Sequence, residues 1–140
     1  MYILSTEASF DAAHFLSGYD GKCGNLHGHR WRVILEIHTE ELQPEGQERA
    51  MAVDFGEVKK ILREETDYFD HAFIVEEGTL KPKTVEALNE EGFLMRFVDF
   101  RPTAENFARY FHDKLLERNL RVRSITVYET PNNCAKYEEQ

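Results

Sequence analysis

Residues 27–39 read His-Gly-His-Arg-Trp-Arg-Val-Ile-Leu-Glu-Ile-His-Thr, and the character of the side chains alternates along them. Successive side chains of a β-strand point to opposite faces of the sheet, so an alternation with a period of two predicts a strand. One face would carry His27, His29, Trp31, Val33, Leu35 and Ile37. The other face would carry Arg30, Arg32, Glu36 and His38 with Ile34. This is the clearest alternation in the chain, and it predicts a strand with two imidazoles at its start.

Weaker alternations on either side predict three further strands. Residues 3–14 come before a loop rich in glycine and aspartate, and on this first strand one face carries Ala8, Phe10, Ala12 and His14. Residues 124–130 also alternate. Residues 134–138 can pair with them across the Pro-Asn-Asn turn at 131–133.

Two amphipathic helices are predicted between these strands. Asp54 is a suitable N-cap for a helix that runs to about residue 69, and Thr103 is suitable for a second helix after Pro102. In the first helix, the apolar residues at helical spacing are Phe55, Val58, Ile61, Leu62 and Phe69. In the second helix, the residues predicted to face the core are Ala104, Phe107, Ala108, Phe111 and Leu115.

The order of these elements is strand, strand, helix, insertion, helix, strand, strand. It predicts an α+β fold, in which two helices cover one face of an antiparallel four-stranded sheet. The insertion spans about residues 78–100, with a short helix indicated at 84–91 and an extra strand at 94–100. A chain of 140 residues is long enough for one domain, expected over 1–140. Exposed edges of a four-stranded sheet favour edge-to-edge assembly of several copies into a closed barrel.

Composition excludes several classes of function. The formal net charge is −9, and no basic stripe is present to neutralise phosphates, so a nucleic-acid partner is not expected. No apolar run reaches membrane-spanning length, and the first residues lack the pattern of a secretory signal. Two cysteines are too few for a disulfide framework. We therefore expect a cytoplasmic protein without a membrane partner.

Three histidines are candidates for a metal site. His27 and His29 lie two residues apart on one strand and so point the same way, and His14 lies on the strand that precedes them. If the two strands pair antiparallel, the three imidazoles can converge. Three imidazoles suit zinc, and a fourth position would stay open for water or substrate, as in catalytic sites. The alternative is a set of hydrogen-bonded histidines at the end of a sheet.

Cys23 lies in the glycine-rich loop, four residues before His27. Its neighbour Lys22 and a nearby metal ion would both favour the thiolate, which suits an acid/base role. The alternatives are a loop cysteine without a role and a fourth zinc ligand. Lys22 is itself a candidate contact for an anionic substrate, or else a solvated lysine.

Glu129 shares a strand face with Ile125 and Val127, so its carboxylate is predicted to point toward the interior or an interface. A buried carboxylate needs hydrogen-bond donors. A planar heterocycle with an amino group beside a ring N–H can supply two parallel donors, in a strong and selective pair. An internal arginine or lysine partner is an equally good explanation of the pattern.

Asp70 and His71 follow the first predicted helix. A carboxylate that orients an imidazole makes an acid/base dyad. Adjacent side chains often point apart, however, and from spacing alone the two are interpreted as a helix-end pair.

Six segments together resemble the 6-pyruvoyltetrahydropterin synthase family, and within it the bacterial 6-carboxytetrahydropterin synthases of queuosine biosynthesis. The cysteine, the His-Gly-His sequence and the final glutamate form a specific signature. The segments span nearly the whole chain in the order of the family: Phe10-Asp-Ala-Ala-His14, Lys22-Cys-Gly-Asn-Leu-His-Gly-His29, Val53-Asp-Phe-Gly-Glu-Val58, Phe69-Asp-His-Ala72, Arg101-Pro-Thr-Ala-Glu-Asn106 and Val127-Tyr-Glu-Thr130.

The resemblance implies the tunnelling fold, in which subunits join their sheets into a barrel, commonly a trimer stacked to a hexamer, with active sites between subunits. By the same resemblance, His14, His27 and His29 bind one zinc ion per subunit. The implied catalytic triad is Cys23, Asp70 and His71, and the implied pterin anchor is Glu129. Further candidates for substrate binding are Thr103, Glu105 and Lys22.

The implied substrate is 7,8-dihydroneopterin triphosphate, and the products are 6-carboxytetrahydropterin, acetaldehyde and triphosphate. The three residues between Cys23 and His27 favour this branch over the pyruvoyl-forming synthases, which usually have a longer spacer. Reliance on the cysteine, where the folate-pathway relatives typically use a glutamate, also favours it. The alternatives within the family are a pyruvoyl-forming synthase and a dihydroneopterin side-chain aldolase. The triphosphate candidates are Arg101, Arg30 and Lys22. A function of another class is a zinc- or purine-binding module without turnover, which would have no need of a thiol at Cys23.

Overall fold

A computed structural model describes residues 1–139 of the chain. The chain forms six strands and three α-helices, with one turn of 3-10 helix at Lys22–Gly24. In order, the elements are β1 (Tyr2–His14), β2 (His27–Thr39), α1 (Phe55–Asp67), β3 (Ala72–Glu76), α2 (Pro82–Glu90), β4 (Met95–Val98), α3 (Ala104–Glu117), β5 (Val122–Thr130) and β6 (Asn133–Tyr137).

The long hairpin of β1 and β2 organises the sheet. The two strands pair antiparallel without interruption, from Tyr2 opposite Thr39 to His14 opposite His27. The alternation of β2 is confirmed, because Trp31, Val33, Leu35 and Ile37 are buried on one face while the intervening residues are partly exposed. On the buried face, β1 contributes Phe10, Ala12 and His14.

The sheet has six strands in the order β4-β3-β1-β2-β5-β6. The four antiparallel strands that the sequence predicts are β1, β2, β5 and β6. Beyond these four, β4 matches the extra strand indicated at 94–100, whereas β3 was not predicted. A four-stranded, purely antiparallel sheet is therefore wrong, because β3 and β4 extend the sheet in parallel beyond β1. In β3 both Ile74 and Val75 are buried. A strand covered on both faces shows no alternation, which is why its pattern gave no prediction.

Helices α1 and α3 pack on the buried face of the sheet. The predicted caps are confirmed: Asp54 accepts a hydrogen bond from the Gly56 N–H at 2.8 Å, and Thr103 accepts one from the Asn106 N–H at 3.2 Å. The remaining helix, α2, lies in the insertion and contributes no buried residue. No helix in residues 1–139 combines the length and apolar character required to cross a bilayer.

An aromatic cluster lies between this sheet face and the two helices. Phe10 stacks on Trp31 with ring centroids 5.9 Å apart, and Phe107 lies 5.2 Å from Trp31. The cluster continues to the imidazoles, because the His14 ring lies 4.9 Å from that of Trp31. Close-packed aromatic rings therefore hold the histidine-bearing strand ends in place.

Candidate metal centre and catalytic dyad

The structure brings three imidazoles together at one end of the β1–β2 hairpin. His14 lies directly opposite His27 in the ladder, and His29 lies opposite Ala12, so all three side chains leave the same face. The ring centroids are 4.6 Å apart for His14 and His27, 5.1 Å for His14 and His29, and 4.8 Å for His27 and His29. The Nε2 atoms of His14 and His27 are 3.1 Å apart.

Two backbone carbonyls determine how these rings are oriented. The His14 Nδ1 donates to the Pro102 carbonyl oxygen at 2.8 Å, and the His27 Nδ1 donates to the Asn25 carbonyl oxygen at 2.6 Å. A carbonyl oxygen only accepts hydrogen bonds, so each Nδ1 carries its proton and each Nε2 is left with a lone pair. A hydrogen bond from the far ring nitrogen is the usual way in which proteins orient metal-binding histidines.

The third imidazole, His29, carries an unsatisfied atom. Its Nε2 is buried and has no hydrogen-bond partner among residues 1–139, although a carboxylate oxygen of Glu129 lies 3.4 Å away in unfavourable geometry. Burial, followed by the neighbouring imidazoles His14 and His27, lowers the pKa of His29 against the opposing effect of Glu129. A buried polar atom without a partner is costly, and a bound cation would satisfy it.

Glu129 completes a group of four potential ligands. Its Oε1 lies 3.3 Å from the His14 Nε2 and 3.4 Å from the His29 Nε2. The adjacent His14 imidazole is the main reason why the pKa of Glu129 is lowered, and burial opposes that shift. The sequence pattern predicts that this carboxylate points toward the interior or an interface, and its side chain is half-buried beside the two imidazoles. Its charged neighbours within residues 1–139 are histidines, so the alternative of an internal arginine or lysine partner is wrong.

The group fits a zinc ion. The ligand atoms of His14, His27, His29 and Glu129 all lie within 4.8 Å of one another. In a tetrahedral zinc site with bonds of 2.0–2.1 Å, neighbouring ligand atoms are about 3.3 Å apart. Three separations within the group are similar, at 3.1, 3.3 and 3.4 Å. Lone pairs and a carboxylate oxygen that face one point also repel one another unless a cation lies among them. The sequence pattern predicts three protein ligands, and Glu129 lies within reach as a fourth.

Cys23 lies in the turn Lys22–Gly24, between β1 and β2, and is half-buried. Its carbonyl oxygen accepts a hydrogen bond from the Leu16 N–H at 3.0 Å, which closes the loop on itself. Gly24 is required here, since a Cβ at this position would lie 2.6 Å from the Tyr19 carbonyl oxygen. Within residues 1–139 the metal-ligand group does not include Cys23, which argues against the fourth-ligand alternative.

Asp70 and His71 form the dyad that their spacing alone did not predict. The His71 Nδ1 donates to the Asp70 Oδ2 at 2.9 Å. The adjacent side chains meet because His71 adopts a left-handed backbone conformation, with φ of 60°. On either side of this pair, the Asp11 N–H donates to the Asp70 Oδ1 at 2.9 Å, and the His71 N–H donates to the Asp11 carbonyl at 2.6 Å. The bond from Asp11 is the main reason why the pKa of Asp70 is lowered.

A shallow depression lies beside the dyad. Its volume is about 460 Å³, and its lining includes both His29 and His71. Ala13, Gly28 and Arg30 also line it, and these positions alternate with the histidine positions of β1 and β2, so they lie on the opposite face of the sheet. A larger cavity of about 640 Å³ lies elsewhere, between α1, β4 and α3, and contains none of these histidines. Among residues 1–139, His29 is the one member of the imidazole group that lines this depression together with His71.

The remaining candidates for binding substrate or triphosphate lie in different environments. Thr103 uses its hydroxyl to cap α3, and Glu105 is exposed in the first turn of that helix. Lys22 is exposed. The guanidinium of Arg30 forms two hydrogen bonds with the Asp11 carboxylate, at 2.9 and 3.1 Å. Arg101 donates to the Ser17 carbonyl oxygen at 3.1 Å.

Three residues that the sequence does not predict for the site orient its side chains through main-chain atoms. Pro102 and Asn25 orient two imidazoles, and Asp11 holds both members of the dyad. Every residue has a carbonyl oxygen, so the identity of these residues carries no signal for this role. All three residues lie in segments that carry the family resemblance, but no pattern in the sequence predicts their main-chain roles.

The comparisons with known proteins agree with this geometry. The model of the 6-pyruvoyl tetrahydropterin synthase family matches residues 3–140. A protein named 6-carboxy-5,6,7,8-tetrahydropterin synthase from Haemophilus influenzae is 38% identical over 142 residues, covering 99% of this chain and 100% of its own. A relative of the same name from Aquifex aeolicus is 30% identical and covers 85% of this chain and 77% of its own.

Solved structures show the same fold. An uncharacterised protein, WS1659 from Wolinella succinogenes, superposes with a TM-score of 0.83 at 21% identity, over 99% of this chain and 98% of its own. The 6-pyruvoyl tetrahydropterin synthase of Caenorhabditis elegans superposes with a TM-score of 0.67 at 27% identity, over 100% and 98%. The α+β class and the tunnelling fold of the single subunit are confirmed. The strand order and the histidine group agree with these similarities. The chain belongs to the 6-pyruvoyl tetrahydropterin synthase family of enzymes.

Proposed function

We propose that this enzyme is a zinc-dependent lyase of queuosine and 7-deazaguanine biosynthesis in the cytoplasm. Its substrate would be 7,8-dihydroneopterin triphosphate, and its products 6-carboxy-5,6,7,8-tetrahydropterin, acetaldehyde and triphosphate. The names of the relatives support the reaction. The observation that carries the proposal is the convergence of three imidazoles and the Glu129 carboxylate at one end of the β1–β2 hairpin.

His14, His27 and His29 would hold the metal through Nε2. When bound, zinc supplies a Lewis acid that polarises a side-chain oxygen of the substrate. The hydrogen bonds from His14 to Pro102 and from His27 to Asn25 keep both rings in the tautomer that binding requires.

Proton transfer is assigned to the dyad and the thiol. Asp70 accepts the Nδ1 proton of His71, so the Nε2 of His71 is the atom that can take up or release a proton. Cys23 would move a second proton between the substrate side chain and the pterin ring. The low pKa of Asp70 keeps its carboxylate ionised and able to orient the imidazole.

Glu129 is proposed to anchor the pterin. A carboxylate that faces an amino group and a ring N–H forms two parallel hydrogen bonds. Its place beside His14 and His29 would bring the pterin close to the metal. Thr103, Glu105 and Lys22 are proposed as further contacts at the same end of the sheet.

We expect substitution of Glu129 to separate pterin binding from metal binding. Glu129→Ala should retain zinc, whereas its affinity for pterin should fall about 10–100-fold, because a hydrogen bond to a charged group contributes about 1.5–3 kcal/mol. Pterin binding can be followed by fluorescence, and zinc by elemental analysis.

Glu138→Ala is the matched control, since that carboxylate pairs with Arg123 away from the histidines. Loss of zinc from Glu129→Ala would instead identify a closed, four-ligand structural site. Loss of folding would identify a structural role for this carboxylate.

The active sites are proposed to lie between the subunits of a trimer or hexamer. The Cys23 thiol forms no hydrogen bond with the dyad within residues 1–139, and 78% of the His71 side chain is exposed. Strand β3 pairs with β1 only at Ala12 and Ala13. Residues 2–10 of β1 therefore have one strand partner in the described part of the chain, and their free edge could join another subunit's sheet.

Mixing two inactive variants tests this arrangement. If each site takes Cys23 from one subunit and the dyad from the next, oligomers reassembled from equal amounts of Cys23→Ala and His71→Ala should recover up to about a quarter of native activity. Each variant reassembled alone is the control and should remain inactive. No recovery in mixed oligomers of confirmed composition would show that thiol and dyad act within one subunit.

Product identification tests the proposed reaction itself. Zinc-loaded protein incubated with 7,8-dihydroneopterin triphosphate should release acetaldehyde and 6-carboxytetrahydropterin in equal amounts. A pyruvoyl product would identify a pyruvoyl-forming synthase, and cleavage of unphosphorylated dihydroneopterin would identify a side-chain aldolase. Pterin binding without turnover would identify a binding module.

A further inference from the structure

We propose that Arg101 is a positioning residue, which holds the loop carrying Cys23 against the metal-binding end of β1. That loop, residues 15–26, is called the thiol loop below. The inference rests on the proposed function for the role of the thiol, and it assigns Arg101 a task other than binding triphosphate.

Arg101 holds the first half of the thiol loop. Its Nη2 donates to the Ser17 carbonyl oxygen at 3.1 Å, and its guanidinium carbon lies 5.7 Å from the centroid of the Tyr19 ring. Both contacts are with neutral groups that a planar, multidonor guanidinium suits well. A half-buried arginine therefore clamps a segment that belongs to no strand or α-helix.

The loop transmits this contact to Cys23. The Leu16 N–H donates to the Cys23 carbonyl at 3.0 Å, next to the residue that Arg101 binds. Tyr19 packs so closely on Gly24 that a Cβ there would lie 2.6 Å from the Tyr19 carbonyl oxygen. Movement of Ser17 and Tyr19 would consequently displace the turn that carries the thiol.

The main chain at Arg101 is anchored to the metal site. The Arg101 carbonyl accepts hydrogen bonds from the Thr103 N–H at 2.7 Å and from the Asn106 side-chain amide at 2.9 Å. The next residue, Pro102, accepts the hydrogen bond from the His14 Nδ1. Two consecutive residues thus hold the metal-binding imidazole and the thiol loop, and they set the distance between the two groups.

Binding of triphosphate is the competing role for Arg101, since no carboxylate pairs with it in residues 1–139. The two roles differ in what they change. A positioning residue affects the chemical step and the accessibility of Cys23, because a displacement of about 1 Å can cost on the order of 100-fold in rate. A phosphate ligand affects affinity for triphosphate.

The test uses Arg101→Ala and Arg101→Lys in the full chain, with Arg109→Ala as the matched control. Arg109 is an exposed arginine of α3, and its single ion pair is with Asp113 at 3.9 Å. For Arg101→Ala we expect kcat to fall about 10- to 100-fold, while KM, zinc content and the inhibition constant of inorganic triphosphate stay within about twofold of native values. Arg101→Lys, which retains a donor for the Ser17 carbonyl, should recover part of kcat.

A second measurement does not depend on turnover. In a Cys134→Ala background, iodoacetamide should alkylate Cys23 several-fold faster in Arg101→Ala than in the parent, because the released loop exposes the thiol. If the protein binds pterin without turnover, the proposed function fails while this measurement still tests the contact. An unchanged alkylation rate in both Arg101 variants would overturn the inference. So would a tenfold weaker inhibition by triphosphate with kcat unchanged.

Discussion

Replacing His29 with alanine is expected to leave a folded protein that retains almost no zinc and almost no activity. This substitution removes one of three converging imidazoles, and even the loss of an outer-shell partner costs about 10–100-fold in metal affinity. Removal of the ring also removes the buried His29 Nε2, which has no hydrogen-bond partner within residues 1–139. The metal-free variant therefore gains no new unsatisfied polar atom. Zinc per subunit is measured by elemental analysis, and folding by a cooperative thermal transition.

His38→Ala is the matched control for this prediction. His38 belongs to the same strand, but its side chain lies on the opposite face and outside the histidine group. It should retain one zinc per subunit and native turnover. A chelator should likewise abolish the activity of the native protein, and added zinc should restore it. Full activity in verified metal-free protein would refute the zinc-dependent mechanism.

Replacing Cys23 with alanine is expected to lower turnover by about 10²–10⁴-fold, the range that a positioned acid/base group contributes. Zinc content and pterin affinity should stay at native values, because the metal-ligand group does not include the thiol. The measurements are steady-state product formation, elemental analysis and pterin fluorescence. Together they separate chemistry from binding, since only the proton-transfer step has lost a group.

Cys134→Ala serves as the control, because that cysteine is exposed on β6, far along the chain from the thiol loop. It should behave as the native protein does. If Cys23→Ala were as active as native enzyme, the thiol would have no part in catalysis, and Asp70 and His71 would remain as the only proton-transfer groups. If the native protein and Cys23→Ala both bound pterin but neither showed turnover, a binding module without catalysis would be the better description.

Much of the fold follows from local patterns. Alternation along β2, the caps at Asp54 and Thr103, and helical spacing in α1 and α3 are each readable within a short window, because the physical cause is local. The parallel strands β3 and β4 are different. Strand β3 is buried on both faces at Ile74 and Val75 and so lacks alternation, whereas β4 lies within the extra strand indicated at 94–100. The parallel pairing of both strands depends on residues far away in the chain.

The histidine group could be predicted because two of its members lie two residues apart on one strand. A shared face is a property of the strand itself, and pairing with β1 then brought His14 opposite His27. The Asp70–His71 dyad could not be predicted from spacing. Its geometry depends on a positive φ at His71 and on the main chain of Asp11, 59 residues before Asp70.

The order of residues alone thus specified the α+β class, the strand that presents His27 and His29, and the family to which the chain belongs. Tertiary packing added the carboxylate of Glu129 beside those imidazoles, the carbonyl of Pro102 behind His14, and the contact of Arg101 with the thiol loop. The physical reason is that strand and helix periodicity arises between neighbours along the chain. The orientation of a metal ligand depends on atoms, often main-chain atoms, that only folding brings within hydrogen-bond distance.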